Sequence, residues 1–119
     1  MARRNIVREK SRTFALRVVA ACRALQGDQR EFVLSRQLLR SGTAVGAMVR
    51  EAEHAESTAD FRHKIAVALK EANESDYWLD LLIESGYLPR ALGESLREDC
   101  GEILKILVAI TKTTRNRRQ

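Results

Sequence analysis

Phe61-Arg62-His63-Lys64-Ile65-Ala66-Val67-Ala68-Leu69-Lys70-Glu71-Ala72-Asn73-Glu74-Ser75-Asp76-Tyr77-Trp78-Leu79-Asp80-Leu81-Leu82 is the stretch on which the fold turns. Phe61, Ile65, Ala68, Ala72, Ser75, Leu79 and Leu82 recur at alternating steps of four and three. That is the 3.5-residue period of a helix packed in a coiled-coil-like seam. The run opens at Ser57-Thr58-Ala59-Asp60, where Ser57 as N-cap and Asp60 three residues on read as a capping box with Asp in place of Glu. It closes at Ser85-Gly86, with Pro89 beyond as a stop.

Three more periodic segments flank it. Residues 7–25 carry Phe14, Val18, Cys22 and Leu25 on one side and end at Gln26-Gly27-Asp28, with Gly27 where a left-handed C-cap is expected. Residues 31–55 carry Leu34, Leu38, Val45, Met48, Ala52 and Ala55, softened inside by Ser41-Gly42. Residues 92–114 carry Leu92, Leu96, Cys100, Ile103, Leu107 and Ile110. Links of about 3–6 residues are too short to cross the length of a bundle, so sequential helices become antiparallel neighbours. The expected fold is all-α: an antiparallel up-down-up-down four-helix bundle. It is one domain over residues 1–119, with basic N- and C-terminal ends. Composition agrees, since one Pro and six Gly in 119 residues are too few for a turn-rich β fold. A content of 45% hydrophobic and 31% charged residues excludes a disordered chain.

The charge is asymmetric. Residues 1–12 hold Arg3, Arg4, Arg8, Lys10 and Arg12 against Glu9 alone. Residues 105–119 hold Lys105, Lys112, Arg115, Arg117 and Arg118 with no acid. The two ends thus carry +9 of a net +5, and the remainder carries −4. Such a distribution points to a polyanion, nucleic acid ahead of an anionic membrane. The plainer reading is solubility and complementation of a helix C-terminal dipole. In an antiparallel bundle both termini lie at one end, so the two clusters pool there. Neither cluster has interleaved aromatics for stacking on bases, which predicts contact with the phosphate backbone and little sequence preference.

Other chemistries have weaker signals. Cys22 and Cys100 sit on apolar stripes without CxxC spacing, arguing against zinc or redox work. No apolar run approaches the roughly 18 residues that span a bilayer. Arg17 and Arg23 interrupt any secretory h-region, so a cytoplasmic protein with reduced thiols is expected. Glu51-x-x-His54 and Asp60-x-x-His63 resemble half of a di-iron carboxylate site, but the other two helices offer no matching Glu on their apolar stripes. No metal and no cofactor is expected. No Ser lies in a G-x-S-x-G setting, and neither Cys adjoins a His, so catalytic residues are not assigned and no enzyme is expected.

Two structural constellations remain. Gly42 and Gly46, with Ala44 and Ala47, make a smooth helix surface for close helix packing. A phosphate loop lacks both the preceding strand and the Gly-Lys-Ser/Thr ending. Lys70, Glu71, Glu74 and Trp78 share one helical neighbourhood, and Arg36 and Arg40 on the preceding helix are placed to reach it. An Arg–Glu network beside the Trp ring is expected there, ahead of a catalytic carboxylate pair. A second apolar stripe comprises Val67, Leu69, Trp78 and Leu81, then Leu104, Ile106 and Val108. It exceeds what one bundle of four helices buries, so a homo-oligomer is expected.

Ser35-Arg36-Gln37-Leu38-Leu39-Arg40-Ser41-Gly42-Thr43-Ala44-Val45-Gly46-Ala47, followed by Glu51-Ala52, resembles the signature of a known bacterial family of four-helix bundles. Its founding members are encoded in intervening sequences of large-subunit (23S) ribosomal RNA genes. The likeness continues through Asp60-Phe61, Lys64-Ile65, Ala68-Leu69-Lys70-Glu71-Ala72, Glu74, Tyr77-Trp78-Leu79, Ile103-Leu104 and Ile106-Leu107. Met48 departs from it, where many members have Asn. The resemblance implies a ring-like homopentamer. It extends to accessory proteins of diversity-generating retroelements, basic pentameric barrels that bind nucleic acid and a reverse transcriptase. The resulting expectation is a non-enzymatic, oligomeric bundle that binds nucleic acid, RNA favoured, through its terminal Lys and Arg residues. The alternative is a scaffold that docks a partner protein.

Overall fold

The computed structural model describes residues 2–117, with side chains for residues 5–115. The chain forms four helices, α1 (Ala2–Gly27), α2 (Leu34–Glu53), α3 (Thr58–Glu84) and α4 (Arg90–Arg117), with no strand among the described residues. They assemble as a four-helix bundle about 50 Å long and 22 × 19 Å across. Neighbours follow chain order around the bundle, and α4 closes the circuit against α1, with no close backbone approach between diagonal helices among the described residues.

Each helix is present because its apolar residues recur on one face. Phe14, Val18, Cys22 and Leu25 of α1 meet Leu38, Val45, Val49 and Ala52 of α2, all buried. Ile65, Ala68, Ala72, Leu79 and Leu82 of α3 meet Leu96, Cys100, Ile103, Leu107 and Ile110 of α4 in the same continuous core. Five expected stripe positions, Leu34, Met48, Ala55, Phe61 and Leu92, are not fully buried. Val49, not Met48, is buried on α2, and Leu34 and Met48 pack only partly against the core. Leu92 is 40% exposed, because α4 already begins at Arg90 and turns Gly93 and Leu96 inward.

The C-terminal end of α3 closes as expected. Of the expected capping box only the Ser57 half forms, since the Asp60 carboxylate accepts from the Glu56 N–H and not from that of Ser57. Ser57 is extended and its side chain accepts a hydrogen bond from the Asp60 N–H at 3.0 Å. Gly86 takes the left-handed conformation, φ 85°. Around it the Tyr87 N–H donates to the Leu82 carbonyl and the Gly86 N–H to that of Ile83, a Schellman closure.

The end of α1 is different. Gly27 does not take the expected left-handed cap; Arg30 does, φ 56°. The Asp28 N–H continues the helical ladder to the Ala24 carbonyl, and the Glu31 N–H folds back to that of Leu25. This carries the reversal past the glycine. The Arg30 guanidinium then lies 5.4 Å from the Phe32 ring centroid.

Glu31, only 7% exposed, caps α2 from outside the helix. Its carboxylate accepts from the N–H groups of Val33, Leu34 and Ser35 at 3.0, 2.8 and 2.7 Å. Burial pushes this carboxyl upward, but those backbone N–H groups outweigh it and hold it below its ordinary range.

Close packing is uneven among the glycines. A Cβ at Gly42 would stand 2.9 Å from Val18 Cγ1, so α1 and α2 need the missing side chain there. At Gly46 the nearest atoms, in Ser11, would be 3.5 Å away, which is ordinary contact, so the expected close approach does not extend to that position. Gly93 was not anticipated: a Cβ there would lie 2.6 Å from Ile83 Cδ1.

Candidate nucleic-acid interface

Four helix ends converge at one pole. Arg8 Nε stands 3.7 Å from Glu53 Oε2, which sets the start of α1 beside the last turn of α2. His54 caps that turn, and the short link to Ser57 begins α3. Arg62, His63 and Ala66 of α3 line a cleft with Thr111 and Thr114 of α4. The beginnings of α1 and α3 and the ends of α2 and α4 therefore share this region.

Within the expected binding set, the side chains differ in what they are free to do. Arg8 is engaged by Glu53, and Lys10 donates to Glu102 Oε1 at 3.4 Å. Arg12, Lys105, Lys112 and Arg115 are exposed and have no ion pair among the described residues. On α4, exposed Lys105, Lys112 and Arg115 in the second half follow exposed Glu94, Glu98 and Glu102 in the first half, which itself opens on Arg90. The side chains of Arg3, Arg4, Arg117 and Arg118 lie outside the described residues.

Sequence reasoning missed part of this pole. The α2–α3 hairpin adds Arg50 and His54, which stand apart in the chain, and Arg62 and His63 of the short run Arg62-His63-Lys64. Arg50, His54 and His63 are exposed and Arg62 is partly so. Arg50 and Arg62 have no ion pair among the described residues. Read from sequence, the two His residues were metal candidates. In the fold Glu51 accepts from Lys64 Nζ at 2.8 Å, and Asp60 accepts from the Glu56 N–H at 3.2 Å. Among the described residues no group of three His, Cys, Asp or Glu gathers to hold a metal. The Glu51 carboxylate also raises the Lys64 ammonium above its ordinary range.

The polar network forms in part. Arg40 reaches both Glu71 Oε1, at 3.4 Å, and Glu74 Oε2. Trp78 Nε1 donates to the same Glu74 oxygen at 3.1 Å. Arg36 and Lys70 do not join, both being exposed without an ion pair among the described residues. Ser41 bonds Ser75 across the two helices at 2.8 Å. That register sets Arg36 about one turn beyond the carboxylates, and Glu74 faces Arg40 and Trp78, away from Lys70. Stronger cross-helix pairs lie elsewhere. Arg97 grips Asp76 through two N–H groups at 2.9 and 3.0 Å, and Arg17 bonds Asp99 at 2.5 Å and Ser95 at 3.1 Å.

The thiols are held in reserve of the packing. Cys22 donates to the Ser35 carbonyl at 3.2 Å and Cys100 to the Ala72 carbonyl at 3.0 Å. Burial, with a smaller push from Glu31, raises Cys22 to about 11. Burial, helped by Asp76, raises Cys100 to about 12. Both stay protonated at neutral pH and are poor nucleophiles.

The fold is an all-helical bundle, and the end where α2 passes to α3 carries exposed cations together with the carboxylates Glu51, Glu53, Glu56 and Asp60. The chain belongs to the 23S rRNA-intervening sequence protein family, whose model matches residues 3–109. It is also similar to a solved crystal structure from Bacteroides thetaiotaomicron VPI-5482, described as a protein with unknown function from the S23 ribosomal protein family. The two share 51% identity at a TM-score of 0.91, covering 92% of this chain and 98% of that one. Comparison with the curated proteins gave no match. No helix among the described residues is long and apolar enough to cross a membrane.

Proposed function

We propose that this chain is a non-enzymatic, oligomeric, antiparallel helical bundle that binds nucleic acid, RNA in preference, in the cytoplasm. The contact is made through the pole that gathers Arg12, Arg50, Arg62, Lys105, Lys112 and Arg115. One observation carries the reading: Arg50, Arg62, Lys112 and Arg115 lie toward a common end of the bundle with no carboxylate partner among the described residues, and Arg12 and Lys105, likewise without one, lie further along α1 and α4. Phosphates neutralised there release counterions, which favours binding without a specific sequence. The antiparallel reading is supported by the contact pairs. Arg8 meets Glu53 while Cys22 meets Ser35, and Lys64 meets Glu51 while Glu74 meets Arg40. In both, numbering rises on one helix as it falls on the other.

The homo-oligomer, with the ring of five that the family likeness implies, is supported by apolar side chains left at the surface. Leu16 is 54% exposed on α1 and Val108 is 38% exposed on α4. A ring would repeat the basic pole around its rim. An anisotropy titration with structured RNA tests the binding: micromolar or tighter affinity at low salt is expected, and no binding at low salt overturns it. Light scattering tests the assembly, with a mass several times 13.5 kDa expected and a monomer contradicting it.

A second reading rests on Phe32 and Val33, which are 40% and 71% exposed between α1 and α2. They favour docking of a partner protein. A pull-down whose protein partner survives nuclease treatment supports that reading over RNA binding.

A further inference from the structure

We propose that the cleft between the first turns of α3 and the last turns of α4 receives an unpaired base of a single-stranded RNA, while the surrounding cations hold the flanking phosphates. This rests on the nucleic-acid reading above and adds the form of nucleic acid and the place where a base is seated.

The cleft has a volume of about 300 Å³, the lower end of what small-ligand sites occupy and too small for a duplex. Its lining is apolar in part: Ile65 is 3% exposed, Phe61 is half-buried, and the exposed Ala66 adds a methyl group at the surface. Arg62 and His63 stand at its edge with Thr111 and Thr114 opposite. Both threonine hydroxyls donate to their own helix, at the Leu107 and Ile110 carbonyls, at 2.9 Å each. Each keeps a lone pair able to accept a hydrogen bond from an exocyclic amine. A guanidinium plane and an imidazole ring are the side-chain types on which splayed-out bases stack. Lys112 and Arg115 lie on the same end of α4 for the phosphates on either side.

Charge and position separate this cleft from its rivals. No carboxylate lines it, and the nearby Asp60 carboxylate is occupied by the Glu56 N–H and coupled to Lys64. The larger groove between α1 and α4 is lined by Glu9, Asp99 and Glu102 against Lys10 alone, which repels phosphate. The surface trough on α3 at Lys70, Glu74 and Tyr77 has its carboxylate paired with Arg40, so position and not charge sets it apart: it lies at the middle of α3, away from Lys112 and Arg115 at the end of α4. The hairpin thus brings to the basic pole the rings that both terminal clusters lack.

The test compares a short single-stranded RNA with an abasic strand of equal length and charge, titrated against the full-length protein by anisotropy at fixed salt. The base-bearing strand is expected to bind on the order of tenfold more tightly. Ala66→Leu, which narrows the cleft without adding charge or a ring, is expected to remove that difference and leave the abasic affinity unchanged. Equal binding of the two strands to the wild-type protein overturns the inference while nucleic-acid binding stands. Preference for the base-bearing strand that persists in folded Ala66→Leu overturns the assignment to this cleft. Ala59→Leu, on the same wall, repeats the test should Ala66→Leu not fold. Failure of both strands to bind at low salt overturns the nucleic-acid reading itself.

Discussion

Glu31 and Ser35 hold each other reciprocally: the Ser35 N–H donates to Glu31 Oε1 at 2.7 Å, and Ser35 Oγ donates to the Glu31 carbonyl at 2.8 Å. The pair closes the start of α2 and ties it to α1 through Gln26, whose amide donates to Ser35 Oγ at 3.1 Å. The folded carboxyl sits below its ordinary 4.5, so its contribution is full above that value and is lost as pH falls through the lowered folded pKa. Glu31→Ala is expected to cost about 1–2 kcal/mol near neutral pH. It should also flatten the fall in melting temperature between roughly pH 5 and 3, measured by thermal melts across that window.

The glycines should separate by what a methyl group meets. Gly93→Ala and Gly42→Ala force Ile83 and Val18 to shift, an overpacking expected to cost about 1–3 kcal/mol before the helix-propensity gain. Gly46→Ala meets only ordinary contact and is expected to stabilise by up to about 1 kcal/mol. Urea titrations of the three variants check the order.

Ion pairs should differ with burial and geometry. Arg40 is more than half exposed in its side chain, 53%, so Arg40→Ala is expected to cost under about 1 kcal/mol. It should nevertheless shift the emission of Trp78, the single Trp, by freeing Glu74. Arg97→Ala, which breaks the two-point grip on Asp76, is expected to cost more than Arg40→Ala. Fluorescence and melts on both variants distinguish them.

The periodicity of residues 61–82 made α3 and its Ser57 cap legible because both depend on residues within a turn of one another. Four helices follow from the same local rule. What was not legible depends on register between helices. Whether Arg36 or Arg40 meets Glu74, and that Arg97 meets Asp76, is set by how far α2, α3 and α4 slide along one another, and no spacing within a helix encodes that. Gly93 reads as a weak helix residue until Ile83 is placed beside it. The same limit applied at the pole. Both terminal clusters were visible as runs of Lys and Arg, whereas Arg62 and His63 belong to the short run Arg62-His63-Lys64 inside the α3 stripe and meet α4 only through the packing of the two helices.

The thiols should be inert in the folded state. With Cys22 at about 11 and Cys100 at about 12, alkylation at pH 8 is expected to proceed only as fast as the chain opens. Adding denaturant should release both thiols together, as followed by a thiol-reactive dye.

The central claim is that a phosphate backbone is held by the gathered cations of the pole. Its most direct test is the salt dependence of RNA affinity for the wild-type protein and for the combined Arg62→Ala, Lys112→Ala, Arg115→Ala variant. The account predicts that log affinity falls linearly with log salt, and that removing the three cations lowers the slope by about 2, at about 0.7 per contact with a single strand. An affinity indifferent to salt, or a slope unchanged in the folded variant, would contradict it.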